Sequence, residues 1–415
     1  MMIIICMLLL ASCEDSIVTK ESEIEKRYRV VPIGMIAEDD ASDEALRAVW
    51  VSQFDMHPIY RDGGRQRAKQ DYARLVEVML DNLIRDGFNT VLLQVRPNGD
   101  SMFVSDIYPT SKYVAGSYGG SVEYDAVGIY LDSAKKKGIS VHAWINPYRL
   151  CYEEELIAYG RGILYEWYCE GIGKRIERAP DGLLYLDPSY DEVHSLIADG
   201  ASEILAEYDF DGIHLDDYFY PTEFEFDDLY EFSQSGYSDL GEFRRSNTEK
   251  TVRALYEAVH GYDGRVFGVA PAGNIYSLES GWYIDIYGWL SSDGYVDYIM
   301  PQLYYGFNNA TCPFDTVLTD WCNAVKNDGI KLYIGLSAAK CALGSEGFAD
   351  AYAGSSGKYE WRDSKDILAR SCKAALNVSD GVCIFSYSSF YDPITGKSNP
   401  LTDEERTAFI EVKGS

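Results

Sequence analysis

Eight apolar runs with strand-like pattern, separated by stretches with helix-like pattern, follow one another from residue 47 onward, and few architectures accept that order. The runs are RAVWVSQF (47–54), TVLLQVRP (90–97), SVHAWINP (140–147), GIHLDDYF (212–219), VFGVAP (266–271), YIMPQLY (298–304), LYIGLSA (332–338) and VCIFSYS (382–388). Between them apolar residues recur at three and four, as in Val193, Leu196, Ile197, Ala201, Ile204, Leu205 and Tyr208, which marks an amphipathic helix. Gly87 and Gly138 stand where two such helices must stop before the next strand. The pattern predicts a (β/α)8 barrel. An open doubly wound sheet is the alternative, but no GxGxxG follows the first strand, so a dinucleotide role has no support. In a barrel, the long connections after the second strand (98–120) and third strand (151–187) lie on the C-terminal face and shape a cleft there.

Period-two alternation then sorts the side chains. In GIHLDDYFYP the aliphatic Ile213 and Leu215 face the helices, which turns His214 and Asp216 toward the barrel axis. The same rule sends Gln94 and Arg96, then His142, Trp144 and Asn146, then Gln302 and Tyr304, inward from three other strands. Asp217 follows Asp216 where the strand becomes loop and strict alternation lapses, so both acids can enter the cavity. Taken singly, each residue is as well explained by structure: a core histidine, a core tryptophan, or Arg96 paired with an aspartate. Their convergence on the C-terminal halves of several strands favours a site.

Charge narrows the partners. With 37 Lys and Arg against 66 Asp and Glu, the formal net charge is -29, which repels nucleic acid and anionic membrane surfaces. The expected contact with a membrane is through lipid alone: the apolar run MMIIICMLLLASC is too short to span a bilayer, and Leu10-Ala11-Ser12-Cys13 resembles a bacterial lipobox. The organisation expected is a lipoprotein signal peptide over 1–12, a polar tether over 13–43 beginning at a lipidated Cys13, and one barrel domain over 44–415. Zinc-type spacing is absent from the cysteines and histidines, and no cofactor or metal is implied.

The blocks RAVWVSQFD, NTVLLQVRPNGDSMF, HAWINPYR, LDPSYDEV, YDFDGIHLDDYFYP, FRRSNTEKTVRALYEAV, FGVAPAGN and VDYIMPQLYY, in this order, resemble those of the family-10-like glycosyl hydrolases, bacterial (β/α)8-barrel lipoproteins and secreted proteins. The resemblance covers roughly residues 44–391. It implies glycoside hydrolysis, with members associated with cell-wall glycan, including peptidoglycan strands stripped of their peptides. Glycosidases generally use two carboxyl groups. Asp216 and Asp217 are the expected catalytic core, one keeping a proton because of the other's charge. Adjacent acids on a barrel strand are similar to those of N-acetylhexosaminidases whose substrate supplies its own acetamido nucleophile, with Tyr304 as the steadying tyrosine. A conventional pair of Asp216 with Asp55 or Asp100 is the alternative. Gln94, Arg96, His142, Asn146, His214 and Gln302 would then hold sugar polar groups, and Trp144, Tyr218 and Tyr304 would stack. Two other classes stay open: a non-catalytic glycan-binding surface lipoprotein on the same barrel, and a metal-dependent hydrolase using His142, His214, Asp216 and Asp217.

Overall fold

The structure, a computed structural model, describes residues 45–216, 219–221, 224 and 226–412. Cys13, the signal peptide and tether expected before residue 44, Asp217 and Tyr218 lie outside the described residues. Eight parallel strands close on themselves: β1 (Leu46–Val51), β2 (Thr90–Arg96), β3 (Ser140–Ile145), β4 (Gly212–Asp216), β5 (Val266–Ala270), β6 (Tyr298–Ile299), β7 (Lys331–Ser337) and β8 (Gly381–Phe385). Each pairs with its neighbours in sequence, and β8 returns to β1 with Leu46 opposite Gly381 and Trp50 opposite Phe385. The expected barrel is the observed one.

Alternation sorts the apolar residues as the pattern requires. Val91, Leu93 and Val95, then Val141, Ala143 and Ile145, then Ile213 and Leu215, join the core shared with the surrounding helices. A second, smaller core fills the barrel itself with Ala48, Trp50, Leu92, Trp144, Ala270, Tyr298, Met300 and Cys383. The stripe on helix Asp191–Glu207 buries Val193, Leu196, Ile197, Ala201, Ile204 and Leu205. Gly138 caps helix Ala126–Lys137 in the left-handed conformation, where a residue without Cβ is not strained.

Three local departures have physical causes. The first strand ends at Val51 rather than 54 because Ser52 opens helix Gln53–Tyr60 with a capping box to Asp55. β6 keeps two ladder residues because Pro301 brings no N–H, and pairing resumes only as isolated bridges from Gln302 to Ala272 and Gly335. The connection after β3 is no plain loop: Arg149–Tyr152, Ile176–Arg178 and Leu183–Leu186 form an antiparallel sheet with two helices, raised on the C-terminal face.

Gly268 on β5 is set by this packing. A Cβ there would lie 2.1 Å from the Tyr298 ring, which crosses the barrel over it. Gly268→Ala is expected to lower stability by about 1–3 kcal/mol through overpacking, read from the urea midpoint. An unchanged midpoint would mean that the Tyr298 ring can yield.

Candidate active site

The C-terminal ends of β1, β2, β3, β4 and β6 converge on Asp216, the last residue of β4, which is partly exposed. Gln302 Nε2 donates to Asp216 Oδ1 at 2.7 Å. From the other side Asn146 Nδ2 donates to the Asp216 main-chain carbonyl at 3.1 Å. Asn146 Oδ1 accepts from Gln94 Nε2 at 2.7 Å, and Gln94 Oε1 accepts from the backbone N–H of Gln53 at 2.8 Å. Tyr304 is nearly buried against Phe385, and burial followed by the charge of Asp216 holds its hydroxyl well above the ordinary range. Its hydroxyl is therefore neutral, within electrostatic reach of the acid.

The two histidines lie one layer lower. Tyr298 Oη is 3.0 Å from both His142 Nδ1 and His214 Nδ1, and Trp50 Nε1 donates to His214 Nε2 at 3.1 Å. Desolvation lowers His142 to about 4 and His214 well below its usual value, so both are neutral. The expected sugar contact by His214 is corrected by its complete burial: it is part of the barrel floor, as is His142 at 6% exposure. Its Nε2 lone pair is taken by Trp50, which also removes it from any zinc ligand set. Trp144 packs in the inner core with its Nε1 unpartnered, opposite Gln94 on one side and His214 on the other.

Arg96 is also displaced from its expected place. The pairing of β2 with β3 shifts register between Gln94 and Arg96, so that the parity of the strand reverses there. Its guanidinium lies 4.3 Å above the Tyr108 ring and donates to the Pro147 carbonyl at 3.0 Å. Tyr108 in turn donates to Leu196 O of helix Asp191–Glu207, which puts Arg96 on the helix side of the strand.

A glycosyl hydrolase-like 10 family model matches residues 45–350, which hold the first seven of the eight barrel strands. The chain belongs to the glycosyl hydrolase-like 10 family. Among curated relatives it is 31% identical over 326 residues to "Glycosyl hydrolase YngK" of Bacillus subtilis, covering 72% of this chain and 62% of that one. It is 28% identical to "Glycosyl hydrolase DigH" of Escherichia coli K12, covering 72% of this chain and 74% of that one. The chain thus spans under two thirds of the first of these relatives. Its fold is similar to that of "Alpha-L-fucosidase isoenzyme 2 from Paenibacillus thiaminolyticus", with TM-score 0.55, 14% identity and coverage of 88% of this chain and 49% of that one.

Within this family barrel, the two alternative second acids are held inside the protein. Asp55 is fully buried: Oδ2 accepts from Ser52 N and Oγ at 2.7 and 2.8 Å, and Oδ1 from Ser388 N and Ser386 Oγ at 2.9 and 3.3 Å. It ties the end of β1 to the end of β8. Asp100, 1% exposed, accepts from Asn98 N at 2.9 Å, and burial pushes its carboxyl up to about 6.

Two features escaped the pattern. Gln53 supplies the backbone donor that starts the amide chain, but it lies beyond the strand. Asp228 is fully buried, pairs with Arg244 through two bonds of 2.7 Å, and accepts from Tyr220 at 2.5 Å, anchoring the chain after β4 to helix Leu240–His260. The partners are sixteen residues apart, on a loop and an outer helix, and no spacing rule joins them.

Asp100 gives a signed pH dependence. Its folded-state value lies above the ordinary carboxylate value, so its ionisation costs stability as pH rises from near 4 through about 6 and remains a cost above that. Asp100→Asn is expected to leave stability unchanged near pH 4 and to raise it at pH 8 by up to about 3 kcal/mol, measured by denaturant unfolding at both pH values. A loss of turnover without that gain would return Asp100 to the chemistry.

Proposed function

We propose that the protein hydrolyses glycosidic bonds in an N-acetylated bacterial cell-wall glycan, with peptide-free peptidoglycan strands as the working substrate. The observation that carries this reading is the grip on Asp216: a carboxyl at the mouth end of β4, fixed through one oxygen by Gln302, with the neutral Tyr304 hydroxyl within reach of its charge. Membership of a glycosyl hydrolase-like family supports the class of reaction. The sequence supports Asp217 as the second carboxyl, and the buried settings of Asp55 and Asp100 support it by elimination.

In the substrate-assisted form of this chemistry, Asp216 orients the acetamido N–H, the acetamido oxygen attacks the anomeric carbon as the glycosidic C–O bond breaks, and Asp217 protonates the leaving oxygen; a water that gives its proton back to Asp217 then adds at the anomeric carbon and opens the oxazoline ring. Tyr304 donates to the acetamido group. We also propose that Cys13 carries lipid and holds the barrel at the cell envelope, where such strands are found.

Release of reducing ends from peptide-free strands, by protein lacking residues 1–43, tests the proposal. Asp216→Asn and Asp217→Asn should each lower turnover by at least about a hundredfold, with a chelator without effect. Wild-type protein that binds the strands and releases nothing would make it a glycan-binding lipoprotein. Cleavage of neutral glycans alone would replace the substrate and keep the barrel chemistry.

A further inference from the structure

Gln94 and Asn146 are 3% and 1% exposed, so the cavity scarcely reaches them, although alternation alone makes them sugar ligands. Their hydrogen bonds run in one direction. A backbone N–H can only donate, so Gln53 N–H fixes the oxygen of the Gln94 amide toward itself and the nitrogen toward Asn146. The oxygen of Asn146 must then face Gln94, which leaves its nitrogen to meet the Asp216 carbonyl. Gln53 is the first residue of its helix, whose early N–H groups have no partner within the helix. A helix N-terminus after β1 therefore sets the polarity of two buried amides, and the last of them holds the main chain where β4 ends.

We propose that Gln94 and Asn146 are positioning residues: they act through the Asp216 main chain, fixing where the strand gives way to the Asp216–Asp217 step, and do not bind the glycan. This rests on the reading of Asp216 and Asp217 as the working acids. It replaces two expected sugar contacts by a relay from helix Gln53–Tyr60 to β4.

Asn146→Asp separates the two roles. The new carboxylate still accepts from Gln94 but cannot donate to the Asp216 carbonyl. At pH 7 kcat on peptide-free strands should fall at least about tenfold, while Kd for soluble peptide-free strand fragments, from calorimetry, stays within about twofold. The ratio of variant to wild-type kcat should rise as pH falls toward 4, because a protonated carboxyl regains one O–H donor. Gln94→Glu keeps its bond from Gln53 and forces the Asn146 amide to turn over, so it should show the same defect, and Gln94→Leu with Asn146→Leu, which brings no facing carboxylates, should cost kcat no more than Asn146→Leu alone. Weakened Kd with unchanged kcat, or additive losses, would overturn the relay and restore both residues as sugar ligands.

A crystal structure of Asn146→Asp decides the point without turnover. The Asp216 carbonyl is expected to withdraw from residue 146 while the contact with Gln94 persists; an unmoved strand end overturns the relay. Wild-type protein that cleaves no glycan would remove the proposed function, and this crystallographic result would still judge the relay.

Discussion

The hydroxyl of Tyr298, shared between two histidines on neighbouring strands, is the contact on which the mouth of the barrel rests. The proton order along it is forced. The Trp50 indole can only donate, so His214 accepts at Nε2 and carries its hydrogen on Nδ1. That hydrogen points at Tyr298 Oη, and the tyrosine's own hydrogen passes to His142 Nδ1. Such a chain requires both imidazoles neutral, as their lowered titration from burial makes them. It joins β1, β3, β4 and β6 at one height. Asp216 stands two residues above His214, Asn146 and Gln302 four above His142 and Tyr298, so the floor sets the level at which the acid is presented.

Above that floor, the chain following β4 is tied at two points. Asp216 is held by Gln302 and Asn146, and Asp228 by Arg244 and Tyr220. Removing one partner of a buried ion pair of this kind typically costs about 3–5 kcal/mol, because the other charge is stranded. Arg244 also lies over the Tyr220 and Tyr283 rings and donates to Tyr283 Oη at 2.9 Å, so its position is fixed by packing as well as charge.

Much of this was legible in the sequence because a barrel strand obeys one simple rule. Alternation placed Gln94, Asn146, His214, Asp216 and Gln302 on the inner face, and the β/α order gave the closed sheet. The rule failed at Arg96, where a register shift reverses parity, and no residue in TVLLQVRP announces that shift. It could not distinguish depth: His214 and Asp216 share a face, yet one is floor and the other mouth, and that difference is made by Trp50 and Tyr298 on other strands. Ser52 and Asp55 do spell a capping box, so the end of the first strand and the structural role of Asp55 were open to a closer reading. The antiparallel sheet after β3 was hidden by strands of three or four residues, too short for a period to register.

Burial alone does not make a catalytic acid. Asp55, Asp100 and Asp187 all have carboxyls raised by desolvation, which is the protonation a general acid needs, but the same burial that raises them removes them from any substrate. Their oxygens face backbone N–H groups of Ser52, Ser388, Asn98 and Ser189, where they shape turns and strand ends. Asp216 differs in that the side-chain amide of Gln302 donates to its carboxyl and that of Asn146 to its main-chain carbonyl, while the residue keeps partial exposure at the mouth. A carboxyl that must meet a sugar has to be fixed by donors on its protein side and left accessible on the other. In this barrel partial exposure separates Asp216 from the buried Asp55, Asp100 and Asp187.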